Sequence, residues 1–280
     1  MTFRTSLRPS NPTVSIIIPT RNEAKNLEVI LPKLPQVHEV ILVDGNSVDG
    51  TVETALRLLP DIKIVHQTRK GKGNALACGF EAATGDIIVM FDADGSADSD
   101  EIPRFVKTLT DGADVAKGSR FRKGGGSEDL TFFRSTGNLG LNMICNVLLG
   151  TKYSDLCYGY NAFWRDILPA LDLLPSTLAP AKNGAMLWGD GFEIETILTC
   201  RMAAAKLRVT EVPSFEKNRI HGESNLNAIS DGIRVLKTIL DEKRRDSVAV
   251  SKASRQTVVA PSAPTTVTAP IRIEAEQEVA

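Results

Sequence analysis

The stretch Asp86-Ile-Ile-Val-Met-Phe-Asp-Ala-Asp94 decides the fold. Five apolar residues, Ile87 to Phe91, make a run too short for a helix, rich in β-branched side chains and closed at both ends by aspartate. Such a run without polar alternation reads as a strand covered on both faces. Working outward, the N-terminal half repeats the pattern. Val14-Ser-Ile-Ile-Ile18, Val40-Ile-Leu-Val43 and Ile62-Lys-Ile-Val65 are further short strands. The spacing predicts helices between them over 22–34, 47–59 and 73–83, the first capped by Asn22 or Thr20 and the second opening on Asp49. Strands separated by helices of about 10–15 residues mean βαβ units, hence an α/β domain with a mostly parallel sheet flanked by helices. Ligands of such sheets bind beyond the carboxyl ends of the strands. That rule singles out 19–23, 44–47, 66–72 and 92–96.

Downstream the pattern continues with a helix over 102–110, a strand over 114–119 and a glycine-rich loop over 123–129. A helix over 139–149 and a mixed segment over 155–164 that returns to the sheet come next. Helices over 191–204 and 227–240 flank a strand over 207–212. From about Arg244 the chain turns to Val, Ala, Thr, Pro and Ser without period, so 246–280 is expected to be a disordered tail. The expected division is an N-terminal extension, 1–12, one domain, 13–245, and the tail.

Composition narrows the function. Thirty-three Lys and Arg against 34 Asp and Glu give a net charge of −1, without the basic excess of a general nucleic-acid binder. No run approaches the ~18 apolar residues of a membrane-spanning helix, and residues 1–13 lack the apolar core of a signal peptide. Cys78, Cys145, Cys157 and Cys200 are scattered, which fits reduced thiols of a cytoplasmic protein better than a disulfide framework or a zinc site.

Three constellations carry chemistry. Asp92-Ala-Asp94 brings two carboxylates to a strand mouth, where Mg²⁺ or Mn²⁺ chelating a diphosphate would offset their repulsion; an acidic solvated loop is the competing reading. Asp44, ending the second strand, can accept hydrogen bonds from a ribose or base, or simply serve a turn. Arg69-Lys-Gly-Lys-Gly-Asn74 sets glycine-flanked cations, Lys72 among them, at a helix start suited to a phosphate, or forms a solvated basic loop.

Together, Val14-Ser-Ile-Ile-Ile-Pro-Thr-Arg-Asn-Glu23, Val43-Asp-Gly-Asn-Ser-Val-Asp-Gly-Thr51, Gly71-Lys-Gly-Asn-Ala75 and Gly85-Asp86 leading into Asp92-Ala-Asp94 resemble the family 2 glycosyltransferases of the GT-A fold. Among these the sequence is most similar to the dolichol- or polyprenol-phosphate mannose and glucose synthases, over about residues 13–240. The resemblance implies a Rossmann-like GT-A domain that moves a sugar from a nucleoside-diphosphate sugar, GDP- or UDP-hexose, with Mg²⁺ or Mn²⁺. It assigns Pro19, Arg21, Glu23 and Asp44 to the nucleoside, with Arg21 where the family often has an aromatic ring. Asp92, Ala93 and Asp94 match the metal and diphosphate site, while Ser96 stands where the synthases commonly place Gln. Arg120 matches a sugar- or phosphate-contacting arginine, and Arg134 with 155–163 the acceptor cleft.

Asp190 or Glu193, in the segment where relatives place a carboxylate near the reacting sugar, is the implied general base; a helix cap and an exposed face are the plainer alternatives. Arg219-Ile-His-Gly-Glu-Ser-Asn225 is similar to an R-x-x-G-x-S-K phosphate clamp, with Asn225 replacing the lysine. His221 is similar in placement to a histidine that completes the metal shell of glucosyl-3-phosphoglycerate synthases, and an exposed loop histidine otherwise. The acceptor implied is polyprenol phosphate, taken at the cytosolic membrane face; a small acceptor such as a phosphorylated acid is the alternative. Family membership implies inversion, and the second resemblance, to a retaining synthase, leaves the stereochemistry open. The apolar helix at 139–149 is a candidate interface, to a membrane or to a second copy of the chain.

Overall fold

The protein is described from a computed structural model over residues 8–222 and 228–258. Four β-branched or aliphatic runs form the parallel half of the sheet: β1 (Val14–Thr20), β2 (Glu39–Asp44), β3 (Lys63–His66) and β4 (Ile87–Met90). The helices α1 (Ala24–Ile30), α2 (Thr51–Leu58) and α3 (Lys72–Ala82) connect them. Then follow α4 (Ile102–Thr110), β5 (Val115–Ser119), β6 (Gly126–Ser127), α5 (Phe132–Leu149), β7 (Asn161–Trp164) and α6 (Leu168–Leu171). Last come α7 (Ile194–Ala204), β8 (Val209–Pro213), β9 (Phe215–Glu216) and α8 (Ala228–Val258).

The main sheet has seven strands in the order β3-β2-β1-β4-β7-β5-β8, parallel except for β7, which runs antiparallel to both its neighbours. This is the α/β architecture read from the sequence. Ile16, Ile17, Ile18, Ile41, Leu42, Ile87, Ile88 and Val89 are fully buried in its centre, as continuous apolar strands require. Crossing from β1 to β4 reverses the strand order, and the carboxyl ends of β1, β2 and β4 open on one side of that crevice.

Local departures from the expected elements have local causes. Helix α1 starts at Ala24, capped by neither Asn22 nor Thr20. Asp49, from the next βα loop, accepts the Ala24 amide at 3.1 Å, and Thr51 Oγ1 accepts that of Glu23 at 2.9 Å. Helix α5 begins seven residues before the expected 139, because Thr131 caps it by accepting the Arg134 amide. Helix α8 runs past 240 to Val258, into the expected disordered tail. No Gly or Pro interrupts 233–260, and Asp, Glu, Lys and Arg over 241–246 sustain a helix. Contacts divide the chain after Arg244; the first unit holds both sheets, and the remaining expected tail, 259–280, lies outside the described residues.

Candidate functional site

Asp92, Ala93 and Asp94 leave the end of β4 in the crevice, as the strand pattern required. Asp94 Oδ1 accepts the Ser96 amide at 3.0 Å and its hydroxyl at 2.7 Å, while Oδ2 faces Arg219 Nη2 at 2.9 Å. The loop carrying Arg219 crosses this turn in register: the Lys217 amide donates to the Ser96 carbonyl at 2.9 Å and the Ile220 amide to the Asp94 carbonyl at 3.0 Å. Gly95 permits the crossing. Its φ is +79°, and a Cβ there would lie 2.4 Å from Ile220 Cδ1.

Asp92 is held differently. Lys72 Nζ sits 2.8 Å from Asp92 Oδ1 and 2.8 Å from Glu195 Oε1, bridging the mouth of β4 to the first turn of α7. Burial opposes the charge on Lys72, but the two carboxylates outweigh it and hold the ammonium above the ordinary lysine range. Glu195 is a residue that the sequence reading did not single out. Its signal is a carboxylate at the buried start of a helix whose neighbours Ile194, Ile197 and Leu198 are core, a place where glutamate needs a cation.

The glycine-flanked start of α3 does not present its amides to an open phosphate site. The Gly73 amide donates to the Asp190 carbonyl at 2.7 Å and the Asn74 amide to the same oxygen at 3.3 Å. A Cβ at Gly73 would meet the Gly189 carbonyl oxygen at 1.9 Å, so glycine is required by main-chain approach. Arg69 completes the dock. Its Nε and Nη2 each lie 2.8 Å from one oxygen of Asp190, with both side chains buried, and Nη1 donates to the carbonyls of Pro175, Ser176 and Leu178. The sequence motif is therefore the seat of the 172–190 segment, with Lys72 as its one cation turned to the crevice carboxylates.

Both expected bases have partners within the protein. Asp190 is consumed by its bidentate pair with Arg69. Glu193 Oε1 accepts the amides of Gly189 at 2.9 Å and Gly191 at 3.2 Å, fastening the turn before α7.

On the nucleoside side, buried Asp44 accepts the Ser47 amide on both oxygens, at 3.3 and 3.2 Å, and stands 3.6 Å from His66 Nδ1. Pro19 is half-buried at the end of β1 and Arg21 is exposed beyond it. Glu23 faces inward, bonded to Asn26. Burial pushes its carboxyl up, against the Asn26 bond and with the help of Asp94. Asn26 also donates to the His221 carbonyl at 3.2 Å, joining the nucleoside side to the Arg219 loop. The His221 side chain is exposed.

Arg120 is placed at the carboxyl end of β5 but is already engaged. It forms a bidentate pair with buried Asp155 at 2.7 and 2.9 Å, reaches Glu216 Oε2 at 3.0 Å and lies over the Tyr158 ring. Arg134, in the first turn of α5, pairs with Asp129 at 3.1 Å. Both arginines thus have carboxylate partners within the 120–160 region. Asn225 lies outside the described residues.

Among the described residues no three His, Cys, Asp or Glu side chains converge as a metal cage, and His221 does not join Asp92 and Asp94 in one. The donor set still fits Mg²⁺ or Mn²⁺ shared with a ligand. Both aspartates offer hard oxygens at one strand mouth, each now balanced by a cationic side chain, and such ions typically take one or two carboxylates and fill the rest with phosphate and water.

Comparison with known proteins gives concordant results. Residues 15–171 match the family model described as glycosyl transferase family 2. The polyprenol monophosphomannose synthase of Mycolicibacterium smegmatis is 32% identical over 234 residues, covering 79% of this chain and 83% of that protein. The dolichol-phosphate mannosyltransferase of Pyrococcus furiosus is 30% identical over 76% of this chain, which spans 59% of that longer protein. Among solved structures, glucosyl-3-phosphoglycerate synthase from Mycobacterium tuberculosis, in complex with Mn²⁺, uridine diphosphate and glucosyl-3-phosphoglycerate, superposes with a TM-score of 0.62. It is 21% identical, covering 83% of this chain and 80% of that one, a likeness of fold.

Proposed function

Because the chain belongs to glycosyl transferase family 2, we propose that it transfers a hexose from a nucleoside-diphosphate sugar to the phosphate of a polyprenol phosphate. One observation carries the choice of acceptor: each expected base carboxylate is committed elsewhere, Asp190 to Arg69 and Glu193 to two main-chain amides. A hydroxyl acceptor needs a base to remove its proton. A phosphate monoester is already anionic and attacks without one. The names of the relatives agree, since the two curated proteins described above are polyprenol-type mannose synthases.

In this reading Asp44, Glu23 and Arg21 receive the nucleoside, and Asp92 and Asp94 hold Mg²⁺ or Mn²⁺. When bound, the ion neutralises charge growing on the departing diphosphate. The bond from the anomeric carbon to the diphosphate breaks, its electron pair leaving with the nucleoside diphosphate, and a bond to the acceptor phosphate oxygen forms. Lys72 and Arg219, which rest on Asp92 and Asp94, are the cations paired with those carboxylates. Their side chains can exchange a carboxylate partner for a phosphate oxygen, fixing positive charge where negative charge develops. Glu195, 2.8 Å from Lys72 Nζ, holds the ammonium at the mouth of β4.

A second reading, a phosphorylated small acid as acceptor, is favoured by the spacing of Arg219 and His221. The test supplies GDP-mannose or UDP-glucose with Mn²⁺ or Mg²⁺, and either a polyprenyl phosphate in detergent or 3-phosphoglycerate. Products are identified by mass spectrometry. A polyprenyl phosphohexose is expected; sugar transfer to 3-phosphoglycerate alone would overturn the acceptor assignment.

A further inference from the structure

Lys117, in the middle of β5, is 1% exposed. It stands opposite Asn161 of β7 and Glu211 of β8, so the three side chains leave the same face of the sheet. The acids that act on its charge, Asp155 and Glu211, already have partners. Asp155 takes two nitrogens of Arg120 at 2.7 and 2.9 Å and the Asn138 amide group at 3.3 Å. Glu211 accepts the Ser154 amide at 2.6 Å, its hydroxyl at 2.9 Å and Arg122 Nε at 2.8 Å. Neither acid requires a lysine for its neutralisation. Lys117 turns instead to main chain, where Nζ donates to the Tyr158 carbonyl at 3.5 Å. Asn161 Nδ2 reaches the same oxygen at 3.3 Å, and Asn161 Oδ1 is buried without a hydrogen-bond partner. Gly118, next along β5, donates its amide to the Tyr160 carbonyl at 2.9 Å, and a Cβ at Gly118 would lie 2.5 Å from that oxygen. Residues 158–160 are thus held along the β5 side at two alternate carbonyls. Gly159, between them, faces the crevice. A Cβ there would stand 3.3 Å from Lys72 Nζ, 3.4 Å from Glu195 Oε1 and 3.5 Å from Asp92 Oδ2.

We propose that Lys117 is a positioning residue for sugar transfer: with Asn161 it fixes the Tyr158–Gly159 peptide, the wall against which Asp92 and Lys72 rest. The inference rests on the reading of those two side chains as the diphosphate end of the site, and not on the choice of acceptor. Two long bonds to one oxygen serve the task, because a bond between buried groups does not compete with bulk solvent. The fold alone gives no reason for the ammonium. An apolar side chain of similar length, such as methionine, would fill the same space without the cost of burying a charge. A buried polar group that costs the fold and supports a site through the main chain is what a functional constraint produces. The wall itself has no side chain to spare, since Gly159 leaves its place to Asp92, Lys72 and Glu195. Its position is therefore set by what holds the neighbouring carbonyls, which are those of Tyr158 and Tyr160.

The test compares the full-length wild type with Lys117→Met, Asn161→Leu and the double variant. Hydrogen–deuterium exchange, read without donor or acceptor, should quicken at least about fivefold in peptides covering 157–161 of Lys117→Met, while the melting temperature rises. With saturating acceptor, kcat should fall at least about tenfold, and the KM for the nucleoside-diphosphate sugar should stay within about twofold of wild type. A purely structural lysine would leave kcat in place. Asn161→Leu should move exchange and kcat in the same direction, and carries the same readouts if Lys117→Met does not fold. Because both side chains act on one carbonyl, the double variant should lose no more kcat than the more damaging single one. Wild-type kcat in folded Lys117→Met, or unchanged exchange at 157–161, overturns the proposal. So does faster exchange across the whole sheet, which marks general loosening, and so do additive losses in the double variant. All turnover is measured with whichever of polyprenyl phosphate and 3-phosphoglycerate the wild type uses. Transfer to 3-phosphoglycerate alone would therefore discard the acceptor reading and leave this proposal standing, whereas normal transfer to polyprenyl phosphate by Lys117→Met would do the reverse.

Discussion

Asp94 takes donors from two separate loops, Ser96 on one oxygen and Arg219 on the other, while Asp190 takes both its strong partners from one guanidinium. The proposed function gives the two carboxylates different work, Asp94 toward a ligand and Asp190 toward the fold. Asp94→Ala is expected to lower metal-dependent donor turnover by a factor of about a hundred or more while leaving the melting curve in place; wild-type turnover would remove Asp94 from the site. Asp190→Ala should behave in the opposite sense. Breaking one half of a buried ion pair costs about 3–5 kcal/mol, so thermal unfolding should move down sharply, and activity should fall with it. Loss of activity at an unchanged melting temperature would restore Asp190 as a base. The sequence singled out both residues and could not tell them apart, because an aspartate before a helix looks the same whether its partner is a substrate or an arginine 121 residues away.

At the scale of elements, β1, β2 and β4 were legible because continuous β-branched runs allow few other structures, and the crevice at their ends followed from topology. The start of α3 was misread for a physical reason. Amides flanked by glycine are equally good donors to a phosphate and to a carbonyl, and the acceptor, the Asp190 main chain, is far away in sequence. The antiparallel course of β7 likewise leaves no mark on its four residues. One turn illustrates how side chains tie elements together. Glu39 on β2 accepts Ser15 Oγ of β1 at 2.6 Å and the amides of Thr84 and Gly85, which lead into β4, at 2.6 and 3.3 Å. Burial works against its charge, but these bonds outweigh it and lower its pKa in the folded protein. The stability it contributes is therefore present above the unfolded carboxylate pKa and is lost as pH falls through the lowered folded value. Glu39→Gln should unfold at lower temperature than wild type at neutral pH and should show a flatter acid limb in melting temperature against pH; parallel limbs would refute the assignment.

Across the whole molecule, a costly residue sits on the strand next to the β8 edge of the sheet. Lys117 on β5 is buried beside Asp155 and Glu211, with a long 3.5 Å bond to the Tyr158 carbonyl, and burial lowers its pKa despite those acids. Lys117→Met removes a buried ammonium and is expected to raise the melting temperature; a fall would show that the acids depend on the ammonium. The dock of the 172–190 segment has a different character. Most of its bonds end on main-chain oxygens: Arg69 on Pro175, Ser176 and Leu178, Thr68 Oγ1 on Ser176, and Gly73 and Asn74 on Asp190. Main-chain oxygens are the same whatever side chains accompany them. The socket is thus indifferent to what it carries: the side chains of 179–188 can change while Arg69, Gly73 and the Asp190 main chain keep the segment in place.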